Sequence, residues 1–265
     1  MFEVRLQSNA RGAKRACLRE PCAWDELQGQ GVGPALVTEL IASLLVEGPT
    51  SELTRAEVWQ LSLSDRDRIV AQLHAHCFGD RIESEIVCRA CGEPFEIGLS
   101  LSELVETLDR PGPVGGVEGP DGDGLYRLAD GRRFRLPTTG DERAVAGLPV
   151  AEAARELVSR CLLGEGSDSD RESLEEAMAA IAPLLDLDIP VACALCASEQ
   201  PVHFEMVSFF VSALARERPI LLREIHRIAS AYHWSSHEIM ALPRSLRRAQ
   251  VALVEGDRRG FRAAS

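Results

Sequence analysis

Apolar positions recur at helical spacing in matched places along this chain. "ALVTELIASLLVEG" (35–48) and "AEAARELVSRCLLGEG" (151–166) each carry an apolar face and end at glycine, the residue that closes helices. A second helical stretch follows each: "SDRDRIVAQLHAHCFG", with Ser64 as the expected N-cap, and "DRESLEEAMAAIAPLL". Both then run into a strand-like segment, a Cys-x-x-Cys, a second strand-like segment ("FEIGL", "VHFEM") and a helix opening near Ser102 or Ser208. "PCAWDE" (Pro21, Asp25, Glu26) precedes the first set and "PTTGDE" (Pro137, Asp141, Glu142) the second, one P-x-x-x-D-E in each. The order predicts an internally duplicated α+β fold, mainly helical, with a repeat a little over a hundred residues long.

The segment 109–124, "DRPGPVGGVEGPDGDG", breaks the pattern with six glycines and three prolines and reads as a flexible linker. It divides a first repeat (1–108) from a second (125–207). Beyond residue 208 the pattern is helical: Leu221, Leu222, Ile225, Ile228, Ala229 and Tyr232 recur at i, i+3, i+4, with Pro219 starting or kinking the helix. Ser235 and Glu238 form a capping box, and Pro243 restarts a helix, so 208–265 is expected as a C-terminal helical docking unit.

With 265 residues, 26% of them charged, the chain has ordinary globular composition, and no run is long and apolar enough for a bilayer. Its N-terminus lacks the apolar core of a signal peptide, which predicts synthesis in the cytoplasm. The net charge of −12 argues against wrapping nucleic acid. From Leu214 onward ten arginines face five acids, so a basic end of about +5 follows an acidic body of about −17. Such a division suits docking to protein neighbours, and the arginine-rich face of Arg244, Arg247 and Arg248 is the candidate contact for an acidic one. The single lysine, Lys14, sits in no phosphate-binding or Schiff-base motif.

Eight cysteines in a chain of this kind point to metal ligands or redox thiols rather than disulfides. "EIVCRACGEPFEI" (85–97) supplies Cys88 and Cys91 on a turn between strands, half of a tetrahedral site. The matching "VACALCASEQPVHF" supplies Cys193 and Cys196, with Ala197 in place of the first copy's Gly92. The four thiolates are expected to bind one structural zinc joining the two halves, with an iron–sulfur cluster or redox-active cysteines as alternatives. Cys17, Cys22, Cys77 and Cys161 read as structural.

Other signals dissolve. In "HAHC" (74–77) the histidines point to different helix faces and read as solvated or core-edge. "HEIMA" lacks its second histidine, because Ala241 stands there. "GQGVGP" (29–34) has Pro34 where a dinucleotide fingerprint needs glycine. The pairs Asp65/Asp67 and Glu175/Glu176 read as first-turn acids favoured by the helix dipole, so no active site assembles.

The run "LLREIHRIASAYHWSSHEIMALPRSLRRAQVALV" resembles the C-terminal signature of baseplate proteins encoded beside contractile tails, in phages and in related extracellular contractile injection systems. "FRLPTTGDE" and "FGDRIESEIVCRACGEPFEI" are similar to the same family, and the resemblance spans most of residues 15–255. It implies a non-enzymatic baseplate component in a large symmetric assembly, partnered by hub, spike, tube-initiator or other baseplate proteins. An assembly factor absent from the finished particle is the alternative within that system. A zinc-ribbon nucleic-acid binder is the alternative outside it, and Glu93, Glu96, Glu199 and Glu205 around the knuckles oppose it.

Overall fold

The computed structural model describes residues 1–8, 12–28, 33–48, 51–108, 116–164 and 171–263. The fold is α+β and mainly helical, with small antiparallel sheets and a helical C-terminal region. A ribbon of β1 (Phe2–Arg5) and β2 (Arg15–Leu18) opens it, followed by α1 (Ala23–Leu27), α2 (Pro34–Leu44), a 3-10 turn (Arg55–Gln60) and α3 (Leu63–Phe78). A hairpin of β3 (Arg81–Val87) and β4 (Pro94–Ser100) leads into α4 (Leu101–Leu108).

Next comes a four-stranded sheet in sequential order, β5 (Val117–Glu118), β6 (Tyr126–Leu128), β7 (Arg133–Phe134) and β8 (Leu162–Leu163). Helices α5 (Thr139–Val145) and α6 (Val150–Cys161) lie between β7 and β8, and α7 (Arg171–Ile181) follows. A second hairpin, β9 (Asp186–Ala192) with β10 (Glu199–Glu205), feeds α8 (Met206–Tyr232), α9 (Ser236–Ala241) and α10 (Arg244–Ala263). No described helix is long and apolar enough to cross a membrane.

The P-x-x-x-D-E segments explain how α1 and α5 begin. Asp25 takes both Nη atoms of Arg19, six residues back, at 2.7 and 2.8 Å, and accepts the Cys22 N–H at 2.7 Å. Asp141 does the same with Arg135, at 2.5 and 2.8 Å, and with the Thr138 N–H at 3.0 Å. Burial opposes ionisation of both aspartates, yet the arginines and N–H groups hold each below the usual carboxylate range. The glutamates reach further: Glu26 binds Arg244 and Arg247, while Glu142 binds Arg66.

Helix α3 is buried along most of its length, and its polar residues are connectors rather than solvated dipole partners. Ser62, not Ser64, caps it, accepting from the Asp65 N–H, because the Ser64 hydroxyl donates to the Pro183 carbonyl at 2.8 Å. Asp65 accepts the N–H groups of Gln7 and Ser8, and Asp67 accepts from Arg66 and from the Leu185 N–H. Burial pushes the pKa of Asp65, Asp67 and Glu142 upward, opposed at the two aspartates by N–H groups and arginines and at Glu142 by Arg66.

One core joins the two hairpin-bearing halves of the chain: Val4, Leu18, Ile41, Leu61 and Ile69 pack with Leu185, Phe204, Met206 and Phe210. A smaller core forms between the four-stranded sheet and the helices beside it, from Tyr126, Phe134, Cys161, Leu174 and Met178. Part of the expected linker is ordered, since Val117–Glu118 pairs with Arg127–Leu128; residues 109–115 lie outside the described residues. Of the glycine-rich 29–34 stretch only Gly33 and Pro34 are described, at the start of α2. Helix α8 runs through Pro219, which sits on its exposed side, where a carbonyl left without its N–H partner meets water.

Where α5 meets the 3-10 turn, Thr139 donates its hydroxyl to the Val58 carbonyl, and a Cβ on Gly140 would lie 2.7 Å from the Trp59 carbonyl oxygen. Backbone cannot yield as a side-chain tip can. Gly140→Ala is therefore expected to destabilise the chain by about 1–3 kcal/mol in denaturant titration.

Candidate metal centre

Each Cys-x-x-Cys sits on the six-residue connection of a seven-plus-seven-residue hairpin. The registers are identical: Val87 faces Pro94, and 105 positions later Ala192 faces Glu199. The turns match bond for bond. Cys88 N–H donates to the Glu93 carbonyl and Gly92 N–H to the Cys88 carbonyl; Cys193 N–H donates to the Ser198 carbonyl and Ala197 N–H to the Cys193 carbonyl. This path needs a left-handed residue, which Gly92 supplies at φ 77° and Ala197 at φ 57°. Alanine holds that conformation against its Cβ, so Ala197→Gly is expected to raise stability by roughly 0.5–1 kcal/mol in thermal melts while leaving the cysteines in place.

The two turns meet. The Sγ atoms of Cys88, Cys91, Cys193 and Cys196 all lie within 4.8 Å of one another, with Cys88 to Cys196 at 3.6 Å and Cys91 to Cys193 at 3.8 Å. Disulfide sulfurs stand about 2.05 Å apart, so these are four separate thiols. Thiolates about 2.3 Å from a central ion in a tetrahedron stand about 3.8 Å apart, and the observed spacings fit one ion held by all four. Cys88 and Cys193 are buried and Cys91 and Cys196 exposed, so each hairpin contributes one inner and one outer ligand.

Electrostatics separate the sulfurs. Backbone N–H groups of Cys91 and Ala90 aim at Cys88 and lower its pKa to about 6. The Glu93 N–H favours a Cys91 thiolate, but local desolvation and the neighbouring thiols of Cys88, Cys196 and Cys193 push this exposed cysteine up to about 12. Leu195 N–H points at the Cys193 sulfur at 3.4 Å. Such donors stabilise metal-bound thiolates.

Around the sulfurs the packing is thin. Cys88, Phe95 and Cys193 are buried together, with Ile86, Ile97 and Val191 partly buried against them. Gln200 completes the junction, a role sequence reasoning missed. Its Oε1 accepts the Arg89 N–H at 2.7 Å and its Nε2 donates to the Val87 carbonyl at 3.2 Å, stitching β10 to the strand end before Cys88. Phe95 occupies the corresponding position in the first hairpin, so a polar residue among inward strand positions was the available signal.

The remaining sequence candidates lie elsewhere. His74 is buried against Phe78 and Phe209, and burial lowers its pKa, which makes it a neutral core ring; His76 stacks on Phe2. His237 packs beside Trp24. Burial pushes the Cys77 and Cys161 thiols up to about 12, which keeps them unreactive.

The arginine face needs correction. Arg247 is 0% exposed and Arg244 3%, so neither is a surface contact. Arg244 pairs with Glu26 and Glu217, and Arg247 with Glu26 and Glu224, each at 2.7–2.8 Å. Arg248 alone is exposed, and it too turns to Glu217 and Glu224. The acidic neighbour anticipated for these residues is this chain itself.

No protein-family model, curated protein or solved structure matches the chain.

Proposed function

We propose that this chain is a structural, non-enzymatic adaptor in the baseplate of a contractile tail or related injection particle, with a zinc ion clamping its two halves. The observation that carries the structural half of this reading is the convergence of Cys88 and Cys91 with Cys193 and Cys196 from two hairpins 105 residues apart. Four sulfur ligands complete a tetrahedral ion and leave no open position for a substrate, which favours a clamp over a catalytic metal. A cluster spreads its cysteines over several irons, whereas sulfurs 3.6–3.8 Å apart suit one ion, and zinc is the ion such sites ordinarily hold. Elemental analysis is expected to find one zinc per chain; stoichiometric iron would overturn that part.

The constant offset between the hairpins, and the repeated Arg–Asp device at Arg19/Asp25 and Arg135/Asp141, support reading the chain as two copies of one unit. The baseplate assignment rests on the resemblance of its C-terminal sequence. A part that keeps its geometry while a sheath contracts benefits from a joint that cannot slip, and exposed Glu93, Glu96 and Glu199 beside the knuckles disfavour a nucleic-acid partner. The test is quantitative mass spectrometry of purified particles with and without the gene. Stoichiometric presence in the baseplate is expected. Assembly that requires the chain but leaves it behind selects the assembly-factor reading, and normal particles formed without it defeat both.

A further inference from the structure

Helix α8 sorts its charges by side. Glu217 and Glu224 turn inward to the arginines of α10, whereas Arg216, Arg218 and Arg223 are exposed and none of the three forms an ion pair among the described residues. Arg216 lies over the Phe209 ring, and Arg223 donates its Nε to the Pro219 carbonyl. Between these arginines Ile220 and Leu222 are 39% and 53% exposed, beside the exposed Pro219. The outer side of mid-α8 is therefore basic and apolar, in a chain whose net charge is −12.

The paired hairpins carry the opposite sign: residues 81–100 and 186–205 hold eight acids against Arg81 and Arg89. On the outward face of the first hairpin Glu83, Glu85 and Val87 alternate along β3, and the register sets Glu85 opposite Glu96 and Val87 opposite Pro94. Arg81 takes Glu83 at 2.9 Å, but Glu85 and Glu96 form no ion pair among the described residues. Like charges directly opposed across two strands cost stability, and a guanidinium placed between them removes that cost. Val87, the next outward residue, is 62% exposed.

We infer that the outward face of the first hairpin docks on the outer side of α8 in a second copy of this chain, Glu85 and Glu96 against Arg218 and Arg223, and Val87 against Leu222. Charge complementarity selects the second copy, because one chain carries both faces and each lacks the sign that the other supplies. Two different faces make a heterologous contact, which closes reciprocally between two copies or propagates into a ring or row. At about 0.1 M salt the Debye length is roughly 10 Å, so repulsion between whole chains is screened while direct contacts persist. The inference requires folded hairpins and is independent of which ion holds them.

Sedimentation equilibrium on the full chain, from roughly 1 to 500 µM at about 0.1 M salt, is expected to show a mass rising above one chain. Raising the salt to roughly 0.5 M is expected to weaken that association at least tenfold. Arg218→Glu with Arg223→Glu is expected to weaken it at least tenfold, and so is Glu85→Lys with Glu96→Lys. Both variants should keep the parent's melting curve and metal content, because all four side chains are exposed. Mixed in equal amounts they are expected to associate again, since each supplies the sign that the other has lost. A parent that stays single, association indifferent to salt or to either variant, or a mixture that stays apart overturns the proposal and leaves the zinc reading to elemental analysis. So does a single-chain parent whose α8 arginines hold an acidic particle protein instead.

Discussion

Replacing Cys88 and Cys193 together by serine is expected to abolish the proposed zinc binding and to unfold the paired hairpins. A structural zinc contributes on the order of 10 kcal/mol, comparable to the whole stability of a typical domain. Apart from Gln200, little among the described residues holds the tips, because each hairpin is a two-stranded ribbon and two of the three buried apolar side chains between them are the cysteines themselves. The damage should travel inward, since Ile82, Leu187 and Phe204 at the hairpin bases belong to the main core. Metal content should fall from the proposed one ion per chain to none, and hydrogen exchange should rise across 81–100 and 186–205 as the melting temperature drops. A variant that loses its metal yet keeps native exchange rates in both hairpins would show that packing and Gln200 suffice.

Arg247→Ala is expected to be the most damaging change outside the centre. It strips Glu26 and Glu224 of a wholly buried guanidinium, leaving Glu26 to Arg244 and Glu224 to Arg248 alone, and removing one partner from a buried ion cluster costs roughly 3–5 kcal/mol. For a chain of this size that corresponds to a fall of about 10 °C in melting temperature. The loss shrinks when the partners leave as well: Arg247→Met with Glu26→Gln and Glu224→Leu, which leaves Arg244 to Glu217, should recover much of it. A single variant that melts within about 1 °C of the parent would mean that the cluster is solvated and contributes little.

Much of the centre was legible because its chemistry is local. Cys-x-x-Cys between strand-like runs marks a knuckle wherever it occurs, and a second knuckle after the same order of elements marks its partner. The arginines were not legible in the same way. Helical spacing places Arg244 and Arg247 on one face, but their partner Glu26 lies 218 and 221 residues earlier, and only the fold brings it there. Asp65 and Asp67 failed for the same reason: a first-turn acid looks alike whether it faces water or the N–H groups of Gln7 and Leu185. Ser64 was misread because a serine two residues ahead competes for the cap, and what decides between them is a carbonyl at Pro183.

The contact between Glu26 and the start of α10 also sets a timetable for the newborn chain. At about 5–20 residues per second, the ribosome delivers Arg244 roughly 10–45 s after Glu26, and the α8 residues that close the main core arrive only shortly before it. Throughout that interval the N-terminal unit waits half-built, with Leu18, Ile41 and Ile69 short of their partners. The main core therefore cannot close until α8 has been made.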